Sequence, residues 1–333
     1  MAVLIKTTEN SGLDRYSREL AKRLPVRVVE TGRYALESDG YGLIRILRDI
    51  NELVHFTNQH FGRISLAINL PSIVTVHDLE RICFPVAGEA ACAVENLKKD
   101  VLAIKQAVKV IAVSDHTKKD LIRCLSIPED RIVVIHNGVD HTVFRPYPDS
   151  SEFPYILYVG SERPRKNLLR FFEAFAMVKK QAGFAGVKLI KIGSPGRSDE
   201  YRQATLAKLK ELGIMDDVVF IPHVDDEQLA KYYSAAMMLV YPSLYEGFGL
   251  PVIEAMACGC PVIASNIAAL PETSGGAALL VDPYNPADMA AAITSLLDNR
   301  ELREQLTAKG IVRARDFDWA DTAEKTLMAY RQI

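Results

Sequence analysis

The sequence predicts two doubly wound α/β domains, and three observations support this fold class. Short runs rich in β-branched residues alternate with longer amphipathic stretches, a pattern typical of parallel strands joined by crossover helices. The alternation stops at residues 144–154, FRPYPDSSEFP, where three prolines and several polar residues predict a linker. The 333 residues are enough for two domains of about 100–200 residues each. We therefore expect domains at 1–147 and 154–315.

Each domain is predicted to contain six strands. They are VLIK, RVVE, ELVHF, SIVTV, VKVIAV and RIVVI in the first domain, then YILYV, VKLIKI, VVFIP, MMLVY, PVIAS and AALLV in the second. Residues 316–333 predict a final helix, because Asp318 is a candidate N-cap and Asp321 follows at the capping-box position.

Composition excludes several classes of function. A formal net charge of −2 gives no overall attraction to nucleic acid, and no apolar run approaches the ~18 residues of a membrane span. Because the N-terminal segment lacks the features of a signal peptide, we expect a cytoplasmic protein.

The number of cysteines is odd, and one residue separates the last two cysteines, whereas two residues separate the cysteines of a zinc or redox pair. We expect buried thiols at Cys83, Cys92, Cys124, Cys258 and Cys260.

The most informative segment is YPSLYEGFGLPVIEAMACGCPVIAS, residues 241–265. It predicts a strand, a glycine-broken loop, a helix and a second strand. Glycines let backbone amides approach a ligand closely, and a helix N-terminus favours an anion. The predicted phosphate seat consists of Gly247, Phe248, Gly249 and Leu250.

Two carboxylates, Glu246 and Glu254, flank this loop. Glu254 lies in the first or second turn of the predicted helix, where it can accept hydrogen bonds from hydroxyls beside a phosphate. In the simpler interpretation, Glu246 is solvated and Glu254 only complements the helix dipole, an effect of ~0.3–1 kcal/mol.

A basic turn, GSERPRKN at residues 160–167, follows the first strand of the second domain. Arg163, Arg165 and Lys166 could converge there on a diphosphate, since arginine offers a planar fork and lysine a compact charge. Asn167 is a candidate N-cap for the next helix. The alternative is a solvated basic turn.

Ligands of open parallel sheets bind beyond the carboxyl ends of the strands. His77 and Asp78 follow one such strand, although Asp78 could simply cap the next segment. Gly160, Gly193 and His223 follow strands of the second domain, and the last two would lie beside a nucleobase. Asn137 and Gly138 also follow a strand, and we expect Gly138 to allow a left-handed turn.

Several cofactor classes are not supported by the sequence. No G-x-G-x-x-G follows a strand and no Walker loop is present, which argues against dinucleotide oxidoreductases and common ATPases. Asp316 and Asp318 form a D-x-D pair whose position favours helix capping over metal binding. We predict metal independence, because cations and a helix dipole can compensate the charge of a diphosphate.

A basic surface that includes Lys98, Lys105 and Lys109 is either a solvated helix face or a contact with anionic lipid.

The string PSLYEGFGLPVIEAMACG resembles the E-x7-E signature of the family-4 retaining glycosyltransferases, which have the GT-B fold. The segment PRKN is similar to a second family motif, in which the residue matching Lys166 contacts the donor pyrophosphate. Where the family often has an arginine after the glycine, this sequence has Ser161. Either Arg163 or Arg165 would then substitute, and the sequence leaves that choice open.

The resemblance implies two Rossmann-like domains facing a cleft, with the final helix crossing back to the first domain. It implies transfer of a mannose- or glucose-type hexose, with retention, from a GDP- or UDP-sugar to a saccharide or lipid-linked acceptor. The donor is a substrate, and no cofactor or metal is expected. Relatives of this type build lipopolysaccharide, O-antigen or exopolysaccharide in bacteria, so peripheral contact with the inner face of the membrane is an open alternative.

The resemblance also implies roles for individual residues. Glu246 would hold the sugar hydroxyls and Glu254 the ribose, while His77 would contact the hexose. Gly12 stands where the family carries a glycine-rich loop. The rival interpretations are a sugar-nucleotide epimerase, a phosphorylase or a catalytically degenerate partner subunit.

Overall fold

The computed structural model describes residues 2–7, 12–31, 41–48, 50–68, 70–85, 91–148, 151–196 and 198–333. The chain forms two compact units. Unit 1 consists of Met1–Gly138 and Asp318–Ile333, and unit 2 of Val139–Phe317. In this division the predicted linker at 144–154 belongs to unit 2, and the chain passes from one unit to the other at Gly138. Within the described ranges, no helix is long and apolar enough to cross a bilayer.

Unit 1 has a parallel sheet of six described strands in the order β2-β1-β3-β4-β5-β6. The strands are β1 (Ala2–Thr7), β2 (Arg27–Thr31), β3 (Leu53–Phe56), β4 (Ser72–Val76), β5 (Lys109–Ala112) and β6 (Ile132–Val134). Every residue of β4 is buried, as expected for a central strand covered on both faces by helices.

Unit 2 has a second parallel sheet of six described strands in the order β12-β11-β10-β7-β8-β9. The strands are β7 (Tyr155–Val159), β8 (Lys188–Ile192), β9 (Val218–Ile221), β10 (Met238–Tyr241), β11 (Val262–Ser265) and β12 (Leu279–Val281). Counted from β7, this is the doubly wound order 3-2-1-4-5-6, in which the winding reverses between β7 and β10. Both predicted parallel sheets are therefore confirmed.

The helices connect the strands and cover the sheets. In unit 1 they are α1 (Gly12–Arg23), α2 (Tyr41–Arg48), α3 (Gln59–Gly62), α4 (Glu80–Cys83), α5 (Ala91–Gln106), α6 (Asp115–Leu125) and the final helix, α14 (Trp319–Arg331). In unit 2 they are α7 (Leu168–Lys179), α8 (Asp199–Leu212), α9 (Asp226–Ala235), α10 (Leu250–Ala257), α11 (Leu270–Ser274), α12 (Pro286–Asp298) and α13 (Arg300–Ala314).

The final helix packs within unit 1, as predicted. Asp318 caps α14 by accepting a hydrogen bond from the amide of Ala320 at 2.6 Å. The buried indole of Trp319 lies 6.0 Å, between ring centroids, from Tyr16 of α1. Near the other end of the helix, the hydroxyl of Tyr330 lies 2.6 Å from Nδ1 of the fully buried His55. Apolar packing and a buried polar contact thus join α14 to the unit 1 core.

The backbone conformation of Gly138 differs from the one expected from the sequence. It is not among the glycines with a positive φ, so it does not form a left-handed turn. Instead, a Cβ at this position would lie 2.3 Å from the backbone nitrogen of Trp319, closer than any real contact. The glycine is required because the start of α14 packs directly against it.

The cysteine prediction is confirmed for one pair and wrong for another. Cys258 and Cys260 are buried, but Cys83 and Cys124 are only half-buried. The side chain of Cys92 lies outside the described residues.

Candidate functional site

Two loops meet where the strand order of unit 2 reverses. The turn after β7 ends in a 3-10 helix, Pro164–Lys166, and the loop after β10 covers residues 242–249. The amide of Leu244 donates to the carbonyl of Arg165 at 2.7 Å, which joins the two loops directly. Side chains about 80 positions apart in the sequence are thereby brought together.

Glu246 lies at the centre of this junction. Its Oε1 accepts hydrogen bonds from Nζ of Lys166 at 2.6 Å and from Nη1 of Arg165 at 2.9 Å. All three side chains are largely buried. Burial alone would raise the pKa of Glu246, but the charges of Lys166 and Arg165 outweigh it and lower the pKa to about 2. The site therefore holds an ionised carboxylate and two cations away from bulk water.

Lys166 is further fixed by Tyr241, the last residue of β10. Its Nζ donates to the Tyr241 hydroxyl at 2.6 Å and lies 4.8 Å from the centre of the ring. Burial, together with the nearby Glu246 charge, raises the pKa of Tyr241 well above its usual range. A neutral phenol thus orients the ammonium group without adding a charge.

The two candidate arginines occupy different positions. Arg165 donates to the carbonyl of Tyr245 at 3.0 Å as well as to Glu246, so its guanidinium is directed into the junction. Arg163 is half-buried at the N-terminal end of the turn, where its carbonyl accepts from the Lys166 amide at 2.9 Å. The structure brings Arg165 to the same carboxylate oxygen as Lys166.

The predicted phosphate seat forms the N-terminus of α10. Gly249 is the N-cap residue with φ 96°, a left-handed conformation, and a Cβ there would lie 2.7 Å from Leu270 Cδ2. Leu250 is the first residue of the helix, and Gly247 and Phe248 precede it in a buried stretch. The loop conformation therefore depends on glycine at 249, and the close approach of its amides to a ligand stays a prediction.

The environment of Glu254 does not fit the interpretation in which this residue only complements the helix dipole. It is 3% exposed, and its Oε2 accepts a hydrogen bond from the Tyr233 hydroxyl at 3.1 Å. A carboxylate this deeply buried is held by specific partners rather than by solvent.

Asn167 does not cap α7 with its side chain, contrary to expectation. It occupies the N-cap position in a left-handed conformation, with φ 60°, and makes no side-chain capping bond. Its Nδ2 donates instead to the carbonyls of Pro242, at 3.0 Å, and Pro283, at 2.6 Å. Asn167 therefore ties the basic turn to the loops after β10 and β12.

A second buried ionic cluster supports the basic turn, and sequence reasoning missed it. Glu162 Oε1 lies 3.2 Å from Nζ of Lys191 and 2.7 Å from Nη1 of Arg202. Lys191 also donates to the carbonyls of Gly193 and Ser194, at 2.6 and 3.0 Å. Lys191 inside the otherwise apolar run LIKI was the available signal, because a charge in a buried strand needs a partner.

The remaining candidate residues of unit 2 follow strands β7, β8 and β9. A Cβ on Gly193, whose φ is 130°, would come within 2.5 Å of the Gly160 carbonyl oxygen, so these glycines allow two loops to pack closely. The amide of Gly193 donates to Ile221 at the end of β9, and His223 is exposed two residues later. A nucleobase contact for Gly193 or His223 stays a prediction.

In unit 1, His77 follows β4 and is buried. Its Nε2 donates to the carbonyl of Thr57 at 2.8 Å, and its ring meets Tyr16 edge-on with centroids 4.9 Å apart. Burial lowers the pKa of His77 to about 4, so the imidazole is neutral at pH 7. Asp78 Oδ1 accepts from the amide of Glu80 at 3.0 Å, as a capping residue does. The contact of His77 with a hexose stays a prediction.

The other sequence candidates have simple local surroundings. Gly12 is the first residue of α1, and residues 8–11 before it lie outside the described residues. Asp316 pairs with Arg313 at 2.9 Å, and Asp318 caps α14.

Comparison with known proteins identifies the family. Residues 141–313, just over half of the chain, match the family model "Glycosyl transferases group 1", and residues 14–143 match "Glycosyltransferase Family 4". The chain belongs to the group 1 glycosyl transferases. This resemblance was predicted from the segments that form the junction around Glu246.

Curated relatives of this glycosyltransferase include bacterial enzymes. It is 33% identical over 243 residues to O-antigen chain mannosyltransferase B of Escherichia coli, covering 69% of this chain and 62% of that protein. It is 32% identical over 249 residues to D-inositol 3-phosphate glycosyltransferase of a Nocardioides species, covering 69% of this chain and 54% of that protein. The chain thus spans somewhat less than two thirds of the length of these relatives.

Solved structures show the same GT-B fold. Sucrose-phosphate synthase from Thermosynechococcus elongatus is 25% identical, with a TM-score of 0.81 and coverage of 99% of this chain and 98% of that one. Anabaena HepE, determined in complex with UDP and glucose, is 16% identical with a TM-score of 0.83, covering 100% and 99% of the two chains. The second likeness establishes the fold alone.

The ion pairs of Glu246 predict a pH-dependent contribution to stability. Because its pKa of about 2 lies below the ordinary 4.5, the carboxylate stabilises the folded state above pH 4.5, and this contribution is lost as the pH falls towards 2. Glu246→Gln leaves two buried cations without a counter-charge, so we expect the free energy of unfolding to fall by ~3–5 kcal/mol at pH 7. Urea unfolding at pH 7, 5, 4 and 3 should show this difference narrowing below pH 4.5.

The matched control is Glu304→Gln, which removes an exposed partner of Arg300 and should change stability little at any pH. A difference between wild type and Glu246→Gln that stays constant down to pH 3 would contradict the assignment.

Proposed function

We propose that this glycosyltransferase transfers a hexose, with retention at the anomeric carbon, from a nucleotide-diphospho-sugar to a hydroxyl of a saccharide or lipid-linked acceptor. The observation that carries the proposal is the pair of buried cations, Lys166 and Arg165, beside the N-terminus of α10. The carboxyl ends of strands at the point where a doubly wound sheet reverses are where such sheets bind nucleotides.

The donor diphosphate would bind beside Glu246 and accept some of the hydrogen bonds that Lys166 and Arg165 now donate to that carboxylate. Lys166 supplies a compact charge and Arg165 a planar fork, which together match the oxygens of a phosphate. The amides at Gly247 to Leu250 and the α10 dipole add fixed partial positive charge at the same point. Between Arg163 and Arg165, the contact with Glu246 favours Arg165 as the partner of Lys166.

The chemical step requires stabilisation of the leaving group. The bond between the anomeric carbon and the β-phosphate oxygen breaks, and a bond from the acceptor oxygen to the same carbon forms. The acceptor proton passes to the departing phosphate on the same face, so no separate base is needed. Negative charge grows on the diphosphate in the transition state, and cations held in place before the reaction stabilise it without reorganisation. A metal ion is not required by this arrangement.

The two carboxylates act on hydroxyls. Glu246, ionised and adjacent to the cations, would accept hydrogen bonds from the hexose and favour its oxocarbenium-like state. Glu254, fixed by Tyr233, would accept from the ribose hydroxyls. Similarity to a mannosyltransferase makes GDP-mannose the first choice of donor, and the structure of HepE in complex with UDP-glucose makes UDP-glucose the second.

Nucleoside diphosphates should stabilise the protein through this site. At ~100 times its dissociation constant, GDP or UDP should raise the free energy of unfolding by ~2.7 kcal/mol, measured as a thermal shift. Lys166→Ala and Glu254→Ala should abolish the shift, and Arg165→Ala should weaken it more than Arg163→Ala. The control is Lys180→Ala, which removes an exposed lysine of the same unit. Equal shifts in Lys166→Ala and wild type would count against the proposal.

The reaction itself is tested by product analysis. Incubation of the purified protein with GDP-mannose or UDP-glucose and a panel of saccharide acceptors should give a product with the donor's anomeric configuration, read by NMR. The rate should persist in a metal chelator and fall by roughly 10²–10³-fold in Lys166→Ala. A product with the inverted anomeric configuration would refute retention. A rate that depends on a divalent cation would refute metal independence. Turnover with inorganic phosphate alone would indicate a phosphorylase.

Peripheral membrane contact is proposed for one face of α5. Lys98 and Lys105 are exposed there, and helical spacing places them on the same face as Val94 and Leu102, which are 41% and 46% exposed. A helix face that combines basic and apolar side chains suits the surface of an anionic bilayer.

Vesicle sedimentation tests this contact. Binding to phosphatidylglycerol vesicles should exceed binding to phosphatidylcholine, and Lys98→Gln with Lys105→Gln should weaken it by roughly tenfold or more, since each lysine contributes about 1 kcal/mol. The matched control combines Lys180→Gln and Lys309→Gln, which remove two exposed lysines from unit 2. Equal losses in both double variants would indicate a nonspecific charge effect.

A further inference from the structure

Two cysteines far apart in the sequence lie side by side in unit 1. Cys83 ends α4, and Cys124 is in the last turn of α6. Their Sγ atoms are 3.4 Å apart, although 41 positions separate them in the sequence. Both side chains are only half-buried, so small reagents can reach them. Neither residue belongs to the proposed donor site of unit 2.

Charged groups of both signs lie near these sulfurs, namely Arg123 and the buried Asp120. The pKa of Arg123 is raised, with its interaction with Cys124 as the largest cause and the charge of Asp120 next. Its Nη2 also donates to Oδ1 of Asp120 at 2.7 Å. The thiolate is the form of cysteine that attacks a disulfide.

The other described cysteines have a contrasting environment. Cys258 and Cys260 are 2% exposed, and burial raises the pKa of each thiol far above its ordinary value. They should therefore be inert in the folded protein and serve as internal controls.

A metal site is the competing explanation, because ligand atoms of Cys83, Asp120 and Cys124 all lie within 4.8 Å of one another. Two observations favour a redox pair. Tetrahedral zinc with Zn–S bonds of about 2.3 Å holds its sulfurs about 3.8 Å apart, farther than the 3.4 Å found here. Arg123 already donates to Oδ1 of Asp120, the third residue of that group, at 2.7 Å.

We propose that Cys83 and Cys124 form a thiol pair that closes a reversible intramolecular disulfide by exchange with a low-molecular-weight disulfide such as oxidised glutathione. One thiolate attacks the reagent, forming a mixed disulfide and releasing one glutathione thiolate. The second protein thiolate then attacks the protein sulfur of the mixed disulfide and releases the other. Two protein thiols lose two electrons and two protons, and one oxidised glutathione becomes two reduced molecules.

The disulfide would link the segment that follows His77 and Asp78 to α6. Closing it requires the sulfurs to approach from 3.4 Å to about 2.0 Å, a small movement for side chains at the ends of two helices. It would also restrict a long loop in the unfolded chain, which stabilises the oxidised form.

The test equilibrates the whole purified protein in glutathione redox buffers and maps its peptides without reduction. We expect a peptide that joins Cys83 to Cys124, with both thiols recovered on reduction, and a melting temperature about 5 °C or more higher when oxidised. Cys83→Ser and Cys124→Ser should each give a glutathione mixed disulfide instead of the cross-link. Cys258 and Cys260, which are 2% exposed, should stay unmodified in the same buffers.

Three results would overturn the proposal. The first is no cross-linked peptide in the most oxidising buffer, although maleimide labels both thiols of the reduced protein. The second is glutathione mixed disulfides that never resolve into the cross-link in the wild type. The third is binding of one zinc ion that needs both cysteines and protects them from oxidation, which would make the cluster a metal site.

Discussion

The candidate site depends on two cations sharing one carboxylate oxygen. Lys166 and Arg165 come from the turn after β7, and Glu246 comes from the loop after β10. None of these charges would be stable if buried alone, because desolvation of an unpaired ion costs several kcal/mol. Together they hold the two loops at the point where the sheet reverses, and in the proposed function they form the positive site that binds the donor diphosphate.

The surrounding contacts explain how so much charge is held without solvent. Tyr241 orients Lys166, and Asn167 joins three loops through backbone carbonyls. Behind the basic turn, Glu162 neutralises the buried Lys191, which in turn binds the carbonyls of the Gly193 loop. Such positioning before the substrate arrives is what electrostatic stabilisation of a leaving group requires. In the proposed function, hydroxyl groups of the hexose would donate hydrogen bonds to the ionised Glu246.

The fold and the centre of the site could be predicted from the sequence, because periodicity and glycine-rich loops are local signals. The twelve strands, the N-cap Asp318 and the glycine loop before α10 are of this kind. What could not be predicted depends on contacts between distant residues. The contact of Arg165 with Glu246, the backbone contact behind Gly138 and the proximity of Cys83 to Cys124 appear only when the chain is folded. Neither propensity nor spacing carries that information.

The most direct measurement is a crystal structure of the protein with GDP or UDP bound. The account predicts the β-phosphate within hydrogen-bonding distance of Nζ of Lys166 and of the Arg165 guanidinium, in front of the first turn of α10, with the ribose on Glu254. A nucleotide bound elsewhere, with Lys166 and Arg165 paired to Glu246 alone, would contradict it.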